Sequence, residues 1–146
     1  MTSPTIEREV QKRLRDREVR YTTGRRAVVG ALVGSDGPRS ASELHSEIGP
    51  AVPLSSLYRS LTILEEAGVV TPHFGAKSLT RYELAEWLTG HHHHLVCIDC
   101  GAVEDVDIPH AHEHHVRDLV DDISSRASFT PLNHALEIEG RCARCR

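Results

Sequence analysis

The sequence predicts an α+β protein of two small domains, and three observations support this fold class. First, after a polar helix, three helical patterns precede a hairpin pattern, which is the element order of a winged helix-turn-helix. Second, residues 1–60 carry ten Lys and Arg against seven Asp and Glu, whereas residues 91–146 carry five against ten. Third, ten of the eleven histidines lie beyond residue 72 and all four cysteines beyond residue 96. The first half is therefore suited to phosphate and the second half to metal.

The N-terminal domain, residues 1–85, is predicted to begin with a polar helix over residues 5–18. Thr22 or Thr23 can cap a second helix, because a hydroxyl accepts a hydrogen bond from a free N–H of the first turn. A loop containing two glycines and Pro38 ends that helix, and Ser40 then opens a short third helix.

A fourth helix, capped by Ser55 and ending at Gly68, is predicted to have one buried stripe and one exposed face. Ser55 and Arg59 point away from the stripe, and Tyr58 lies on its border. Apolar residues recur at helical spacing and form the stripe, which contains Leu57, Leu61, Leu64 and Ala67. Residues 69–71 and 79–84 flank a Gly-containing turn and predict the hairpin.

The chain after the hairpin is predicted to form a hinge, residues 86–90, and a second domain, residues 91–146. Strand patterns cover residues 94–98, 103–108 and 135–138, and a helix runs from Pro109 to about Ser125. We expect an α/β domain whose three strands form an antiparallel sheet.

Several classes of protein are excluded by what the sequence lacks. No stretch approaches the roughly 18 apolar residues of a membrane span, and the N-terminus lacks the apolar core of a signal peptide, so we expect a cytoplasmic protein without a membrane partner. A His-Glu-x-x-His or deaminase-like signature is also missing, so we expect no enzyme and no small organic substrate. A histidine-rich metal buffer is an alternative, which the basic helix-and-hairpin half disfavours.

Two Cys-x2-Cys pairs account for every cysteine, with 41 residues between them. This spacing lets both thiolates of a pair reach one tetrahedral ion, and four thiolates leave no open coordination position. Two disulfides or a redox pair are the alternatives, but a cytosolic chain keeps its thiols reduced. The pairs therefore predict a structural Zn²⁺ held by Cys97, Cys100, Cys142 and Cys145.

An internal run of four histidines directly precedes the first cysteine pair. Side chains alternate along a strand, so His92 and His94 lie on one side and His91 and His93 on the other. The run can therefore supply two nitrogen-and-oxygen sites for Fe²⁺, Zn²⁺, Ni²⁺ or Mn²⁺. The alternative is a solvated polar run with adventitious metal affinity. Further candidate ligands are Glu83, His73, His134 and one of Glu113 or His112.

Short motifs spread over nearly the whole chain carry a family resemblance. They are Tyr21–Arg26, Ser40–Leu44, Ser56–Leu61, Glu66–Val70, Arg81–Leu84, His91–Gly101, Asn133–His134 and Cys142–Cys145. Each motif is weak alone, but their combination resembles the ferric-uptake-regulator family of metal-responsive repressors.

The resemblance implies a homodimer held by the second domain, with a four-cysteine zinc and two further metal sites. A regulatory ion at the hinge would use Glu83, His92 and His94, with His73 as an additional candidate. A site within the dimerisation domain would use His91, His93, Glu113 and His134, with His112 as an alternative to Glu113. The chain departs from the family at Pro38, where members often supply another hinge ligand.

The resemblance also implies double-stranded operator DNA as the partner. Tyr58 and Arg59 would lie at the DNA, and Arg20 matches a basic position near the minor groove. The other candidate DNA contacts on this surface are Arg13, Arg25, Arg26 and Ser55. The regulatory ion would fix the angle between the domains so that both recognition helices of a dimer match the groove spacing.

We expect an iron-type regulator of metal homeostasis or oxidative-stress genes. Peroxide, zinc, nickel and manganese sensors of the same family are the alternatives. Zinc sensors commonly place a cysteine shortly after the wing tyrosine, and residues 84–86 offer none, which disfavours that alternative.

Overall fold

The computed structural model describes residues 4–146 and confirms the predicted α+β class, with six α-helices, one 3-10 turn at Ala76–Ser78 and six strands in that range. The helices are α1 (Pro4–Asp16), α2 (Thr23–Val33), α3 (Ala41–Ile48), α4 (Leu54–Glu66), α5 (Glu86–Thr89) and α6 (His110–Arg126). The strands are β1 (Arg39–Ser40), β2 (Val70–Phe74), β3 (Thr80–Leu84), β4 (His93–Cys97), β5 (Val103–Val106) and β6 (Glu137–Gly140). None of the helices in this part of the chain is long and apolar enough to cross a bilayer.

Side-chain hydrogen bonds start helices α2 and α3 at the predicted residues. The Thr22 hydroxyl accepts a hydrogen bond from the backbone N–H of Arg25 at 3.3 Å, so Thr22 caps α2. Ser40 and Glu43 form a reciprocal capping box at the start of α3, in which each side chain accepts from the other's backbone N–H. These caps satisfy N–H groups that a helix start otherwise leaves free.

The predicted cap of α4 is wrong. Helix α4 begins at Leu54 after Pro53, and Ser55 lies within its first turn. A proline suits this place because its φ is fixed near the helical value and it has no N–H to satisfy. The predicted stripe of the helix is buried, and Ser55, Tyr58 and Arg59 are exposed on the opposite face.

The hydrophobic core lies in the N-terminal half of the molecule. Its buried cluster extends from Val10 in α1 to Leu84 in β3, and it includes the apolar faces of helices α2, α3 and α4. The first sheet has the strand order β1-β3-β2 and is fully antiparallel. The two-residue strand β1 is too short for the sequence pattern to reveal.

The second sheet differs in one pairing from the fully antiparallel arrangement expected for it. Strand β4 lies in the middle, pairs antiparallel with β5 and pairs parallel with β6. After β5 the chain passes through α6 and returns to the end of the sheet at which β4 begins. There the backbone N–H of His94 donates to the carbonyl of Leu136. Because β4 and β6 run in the same direction, the cysteine pairs that follow them meet at one end of the sheet.

The C-terminal half buries little apolar surface of its own. Its buried apolar residues among those described are Val96, Cys97 and Val103. On α6 only Ser124 is buried within this single chain, whereas Leu119 and Ile123 are more than half exposed. This half therefore lacks a core comparable to that of the N-terminal half.

The predicted hinge contains a helical turn. Residues 86–89 form α5, and Gly90 ends it with φ +89°. Near the hinge, the backbone N–H of Asp105 in β5 donates to the carbonyl of Asp36 at 3.1 Å, which joins the two halves. Pro38, in the same loop, contributes its carbonyl to Arg81 at 3.4 Å.

Candidate metal centres

The four cysteines meet at the end of the second sheet. Their Sγ atoms lie within 4.8 Å of one another, and those of Cys100 and Cys142 are 3.8 Å apart. A tetrahedral zinc with Zn–S bonds of about 2.3 Å separates its sulfurs by about 3.8 Å. A disulfide requires about 2.05 Å. The arrangement therefore fits one tetrahedral ion with four thiolate ligands and does not contain a disulfide.

The thiols of this cluster differ in acidity. Hydrogen bonds from the backbone N–H groups of Cys100 and Cys142 lower the pKa of Cys97 to about 6. Hydrogen bonding to Cys142 and burial raise the pKa of Cys145 to about 12. Neighbouring thiolates repel one another, so the four groups ionise together only when a cation compensates their charge.

A second cluster, the hinge cluster, joins the two halves of the molecule. Glu83 Oε2 at the end of β3 lies 2.8 Å from His92 Nε2 and 3.2 Å from His94 Nε2. Asp105 Oδ1 from β5 completes the cluster at 3.5 Å from His92 Nε2 and 3.4 Å from His94 Nε2. The four ligand atoms lie within 4.8 Å of one another, so they fit one divalent cation.

Sequence reasoning missed Asp105, because its place depends on how two strands pair. The antiparallel register of β4 and β5 sets Asp105 directly opposite His94. Glu104 and Asp105 are adjacent in this strand and therefore point to opposite faces, and the local sequence does not identify which of the two carboxylates faces the histidines. Asp105 is placed where it could be the fourth donor, which Pro38, without a coordinating side chain, cannot be.

His73, the additional hinge candidate, reaches the hinge cluster from strand β2. Its Nε2 lies 2.5 Å from Glu83 Oε1, the carboxylate oxygen that His92 and His94 do not contact. His73 also groups with His94 and Glu137, whose ligand atoms all lie within 4.8 Å of one another. His73 is therefore placed either to bind an ion beside Glu83 or to orient the Glu83 carboxylate through a hydrogen bond to Oε1.

The electrostatics of the hinge cluster suit a cation. Burial alone would raise the pKa of Glu83, but hydrogen bonds from His73, His94 and His92 outweigh it and hold the pKa well below the usual range. Burial lowers the pKa of His92, yet hydrogen bonding to Glu83 raises it above its ordinary value overall. The cluster thus favours positive charge next to the Glu83 carboxylate, whereas burial raises the pKa of Asp105.

A third cluster, the inner cluster, lies between β4, α6 and the loop before β6. His93 Nε2 is 2.8 Å from Glu113 Oε2. His91 Nε2 is 3.1 Å from His134 Nε2, and these two atoms lie 3.4 Å and 3.3 Å from Glu113 Oε1. Among the described residues, Glu113 Oε1 is buried without a hydrogen-bond partner. Three imidazole nitrogens around this carboxylate fit a divalent cation.

The helix contributes Glu113 rather than His112 to this cluster. The Glu113 side chain is 12% exposed and points into the cluster. His112 lies outside it, with its ring centroid 6.3 Å from that of His115. The two residues are neighbours on a helix and therefore point about 100° apart.

The candidate DNA contacts lie on the N-terminal half, and four of them are exposed. Tyr58, Arg59 and Ser55 lie on the free face of α4, and Arg20 is exposed before α2. Two predicted contacts have partners within the chain. Arg25 donates to the carbonyl of Arg20, while Arg26 pairs with Glu7 and stacks 4.0 Å above the ring of Tyr21. Arg13 is half-buried beside Trp87.

Comparison with known proteins gives a consistent result. The model of the "Ferric uptake regulator family" matches residues 16–139. The chain is 30% identical over 141 residues to a ferric uptake regulation protein of Bacillus subtilis, covering 93% of this chain and 91% of that protein. It is 27% identical to a peroxide-responsive repressor, PerR, of Staphylococcus saprophyticus, covering 97% and 94% of the two chains. The crystal structure of the Vibrio cholerae ferric uptake regulator superposes with a TM-score of 0.73 at 27% identity, covering 90% and 98%.

Proposed function

The chain belongs to the ferric uptake regulator family and is a metal-responsive transcription regulator, and on that premise we propose that it is a cytoplasmic, iron-type repressor that binds operator DNA as a homodimer. Its domains are residues 1–85 for DNA binding and residues 91–146 for dimerisation, joined by residues 86–90. The observation that carries the proposal is the hinge cluster. Glu83 from the DNA-binding domain meets His92 and His94 from the dimerisation domain at 2.8 Å and 3.2 Å.

The hinge cluster is the proposed switch. A cation bound there bridges β3 of one domain to β4 and β5 of the other. Without the ion, the domains rotate about the hinge, and DNA binding is weaker because it must also order the two domains. With the ion, the two recognition helices of a dimer keep a fixed separation, which is the condition for occupying two half-sites at once.

Fe²⁺ is the proposed physiological ion of the hinge cluster, and Zn²⁺, Mn²⁺ and Ni²⁺ are the other candidates. Its donors are imidazole nitrogens and carboxylate oxygens, which suit this group of divalent cations. Zn²⁺ is proposed for the four-cysteine cluster because thiolates select it and leave no open position. The inner cluster takes a divalent ion of the same kind as the hinge cluster.

The homodimer is proposed to form through the dimerisation domain. The single chain leaves a large apolar surface on α6, β6 and the loop between them, including Leu132 at 96% exposed. A domain that exposes so many large apolar side chains is typical of a protein with an interaction surface. The other exposed members of this surface are Leu119, Ile123, Phe129 and Ile138. A second copy covers this surface and gives both subunits a shared core.

DNA binding is proposed for the exposed face of α4 and the basic residues near it. Tyr58 contacts a thymine methyl and Arg59 a base or phosphate, while Arg20 enters or borders the minor groove. Because Arg25 and Arg26 already have partners in the chain, they contribute to the DNA contact chiefly by shaping this surface and its positive potential.

The experiment is a titration of the purified dimer with Fe²⁺, Mn²⁺, Ni²⁺ and Zn²⁺ while operator affinity is measured on the upstream region of its own gene. We expect a divalent ion to raise operator affinity at least tenfold. His92→Ala should abolish this response, and His114→Ala, an exposed histidine outside the clusters, should leave it unchanged. Operator affinity that is independent of added metal would contradict the proposal.

A matched pair of variants separates DNA binding from metal binding. Arg59→Ala should lose operator affinity while it retains the zinc and hinge ions, because Arg59 lies on the exposed face of α4. His92→Ala should retain zinc but lose the hinge ion. Loss of zinc in Arg59→Ala would show that the domains are assigned wrongly.

A peroxide sensor is the second candidate function. It is favoured by the similarity to the peroxide-responsive repressor and by a hinge cluster of nitrogen and oxygen donors without cysteine. In that case, hydrogen peroxide would transfer one oxygen atom to the imidazole of His92 or His94 in a dimer loaded with Fe²⁺ and would leave one molecule of water. Mass spectrometry of the treated protein distinguishes the candidates, since an iron-responsive repressor that is not a peroxide sensor keeps its unmodified mass.

A further inference from the structure

Helix α5 contacts both the inner cluster and the DNA-binding domain through two consecutive residues. Glu86 contacts His91 of the inner cluster, and Trp87 contacts the DNA-binding domain. We propose that α5 couples the inner cluster to the DNA-binding domain, and we call this helix the lever. Glu86 is its positioning residue: it contacts a ligand of the inner cluster, so that binding of an ion there restricts the orientation of the DNA-binding domain. The proposal rests on the proposed function and assigns a positioning role to Glu86 and an anchoring role to Trp87.

The first end of the lever is the hydrogen bond between Glu86 and His91. Glu86 Oε1 lies 3.0 Å from His91 Nδ1, and the other ring nitrogen of His91 faces His134 Nε2 at 3.1 Å. A histidine that holds a cation through one nitrogen commonly donates its other N–H to a carboxylate, which fixes the ring and raises its basicity. Glu86 occupies this position and belongs to α5 rather than to the dimerisation domain.

The second end of the lever is the side chain of Trp87. Its Nε1–H donates to the carbonyl of Gly68 at 2.7 Å, and the guanidinium of Arg13 lies 4.2 Å from the centre of the ring. Gly68 has φ +71°, and a Cβ built on it lies 3.3 Å from the Arg13 guanidinium, so the turn after α4 leaves room for this stack. A hydrogen bond and a cation–π contact thus hold α5 against α1 and the end of α4.

The joint between the domains then lies after α5. Gly90 has φ +89°, a conformation that L side chains rarely adopt, and its N–H donates to the carbonyl of Glu86 at 2.7 Å. Because Trp87 attaches α5 to the DNA-binding domain, rotation is concentrated at Gly90 and His91. The Glu86–His91 hydrogen bond crosses this joint.

Occupation of the inner cluster therefore restricts the joint. An ion held by His91, His93, Glu113 and His134 fixes the His91 ring, and a fixed Nδ1–H gives Glu86 one preferred position. Glu113 Oε1, which is buried and makes no hydrogen bond to the described residues, lies 3.4 Å and 3.3 Å from the Nε2 atoms of His91 and His134, so it can bind the same cation. Glu86 then limits the rotation of α5 about Gly90, which supplements the bridge made by the hinge cluster. The two ions act on the same angle between the domains.

The first test uses Trp87, the one tryptophan in the sequence, as its own reporter. Acrylamide quenching of Trp87 fluorescence is measured on the zinc-loaded dimer with and without Mn²⁺. At each Mn²⁺ concentration, the intensity without acrylamide is divided by the intensity with acrylamide. We expect Mn²⁺ to lower the quenching constant at least twofold, because a restrained Glu86 also limits the motion of Trp87 beside it, which is 43% exposed. His134→Ala and Glu86→Ala should abolish this decrease. Thr89→Ala, which removes an exposed side chain from the same helix, should retain it.

The second test is a double-mutant cycle on operator affinity in Mn²⁺. We expect Glu86→Ala and His134→Ala each to weaken affinity about five- to tenfold. The double variant should be no weaker than His134→Ala alone, because Glu86 acts through the occupied inner cluster. Glu86→Gln, whose amide oxygen still accepts from His91, should recover most of the loss. Trp87→Ala should weaken affinity as Glu86→Ala does while it retains the full number of bound ions.

These measurements distinguish the two proposals. A wild-type protein whose operator affinity does not respond to metal would overturn the proposed function, whereas the quenching test needs no DNA. A responsive wild-type protein in which Glu86→Ala changes neither the quenching nor the affinity would overturn the lever alone. Additive losses in the double variant would likewise overturn it, since they would show that Glu86 acts independently of the inner cluster.

Discussion

Arg81 and Glu43 form an ion pair whose two members have different surroundings. The Arg81 side chain is 9% exposed, whereas that of Glu43 is 43% exposed. Arg81 Nη1 donates to Glu43 Oε2 at 2.7 Å and to the carbonyl of Pro38 at 3.4 Å, so one guanidinium joins strand β3 to the capping box and the loop before α3. The buried arginine depends on both acceptors to offset its desolvation.

Replacing Arg81 with Met tests how much this pair stabilises the DNA-binding domain. We expect the free energy of unfolding to fall by about 1 to 3 kcal/mol, less than for a fully buried pair because Glu43 remains partly solvated. Urea denaturation followed by circular dichroism measures this loss. Arg59→Met, on the exposed face of α4, is the matched control and should change stability by less than about 0.5 kcal/mol.

The same pair predicts a dependence on pH. Burial raises the pKa of Glu43, but hydrogen bonds from Ser40 and the charge of Arg81 outweigh it and hold the pKa below its usual range. Ionised Glu43 therefore stabilises the fold fully above its unfolded-state pKa, and this contribution is lost as pH falls through the folded-state pKa. The stability difference between wild type and Arg81→Met should be constant near neutral pH and shrink below about pH 4. A difference that persists in acid would argue against this pairing.

At the residue scale, the sequence predicted what depends on the local chain and missed what depends on pairing. Strand alternation separates His91 and His93 from His92 and His94, and the structure groups the four histidines in the same way because the period of a strand is two. Asp105 enters the hinge cluster only through the register of β4 and β5, which no local pattern specifies.

At the scale of elements, the contact between β5 and the loop before α3 brings the two proposed domains together. A Cβ built on Gly37 would lie 2.5 Å from the Val103 carbonyl, so this position accepts glycine alone without a shift of the backbone. The neighbouring Asp36 carbonyl accepts from the N–H of Asp105, a hinge-cluster residue. The position of the loop therefore affects the position of a proposed ligand.

Gly37→Ala should therefore weaken the hinge ion. The added methyl group pushes the loop away from β5 and displaces Asp105. We therefore expect Mn²⁺ affinity at the hinge cluster to fall about tenfold, which is typical when a group that orients a metal ligand is altered. Equilibrium dialysis measures this affinity, and the content of structural zinc should not change. Gly34→Ala is the matched control, because its Cβ would have no neighbour closer than 4.0 Å. Equal affinities in the two variants would show that the loop does not position Asp105.

The parallel pairing of β6 shows which element-scale features the sequence could not supply. Helical and strand periods predict that α6 and β6 exist, since these depend on neighbours along the chain. The direction of β6 depends on the path of about 30 residues between β5 and β6, which ends where β4 begins. That direction in turn brings Cys142 and Cys145 to the first cysteine pair. The cysteine spacing therefore carried information about topology that the strand pattern did not.

At the scale of the whole molecule, the two proposed domains are stabilised in different ways. The DNA-binding domain has a buried cluster from Val10 to Leu84 that it forms by itself. The dimerisation domain has few buried apolar residues in the single chain and exposes Phe129, Leu132 and Ile138. A domain of about 55 residues with so small a core usually depends on a metal or a partner. Zinc and dimer formation should therefore be coupled to its folding.

Cys145→Ser tests this coupling, because it removes one zinc ligand at the end of the chain without touching the DNA-binding core. We expect the variant to purify with one zinc fewer per chain and to elute as a monomer. The DNA-binding domain should keep its own thermal transition, since its buried cluster contains no residue beyond Leu84. Metal analysis, size exclusion and calorimetry measure these three effects.

The control is His134→Ala, which alters the inner cluster and leaves the four cysteines intact. It should retain the zinc and the dimer, because strand β6 remains joined to β4 through the metal as well as through the sheet. Normal zinc content in Cys145→Ser would refute the four-cysteine site. A stable dimer in a variant that has lost its zinc would instead show that burial of the apolar side chains of α6 and β6 is enough to stabilise the domain. The contributions of zinc and of dimer formation would then be separate.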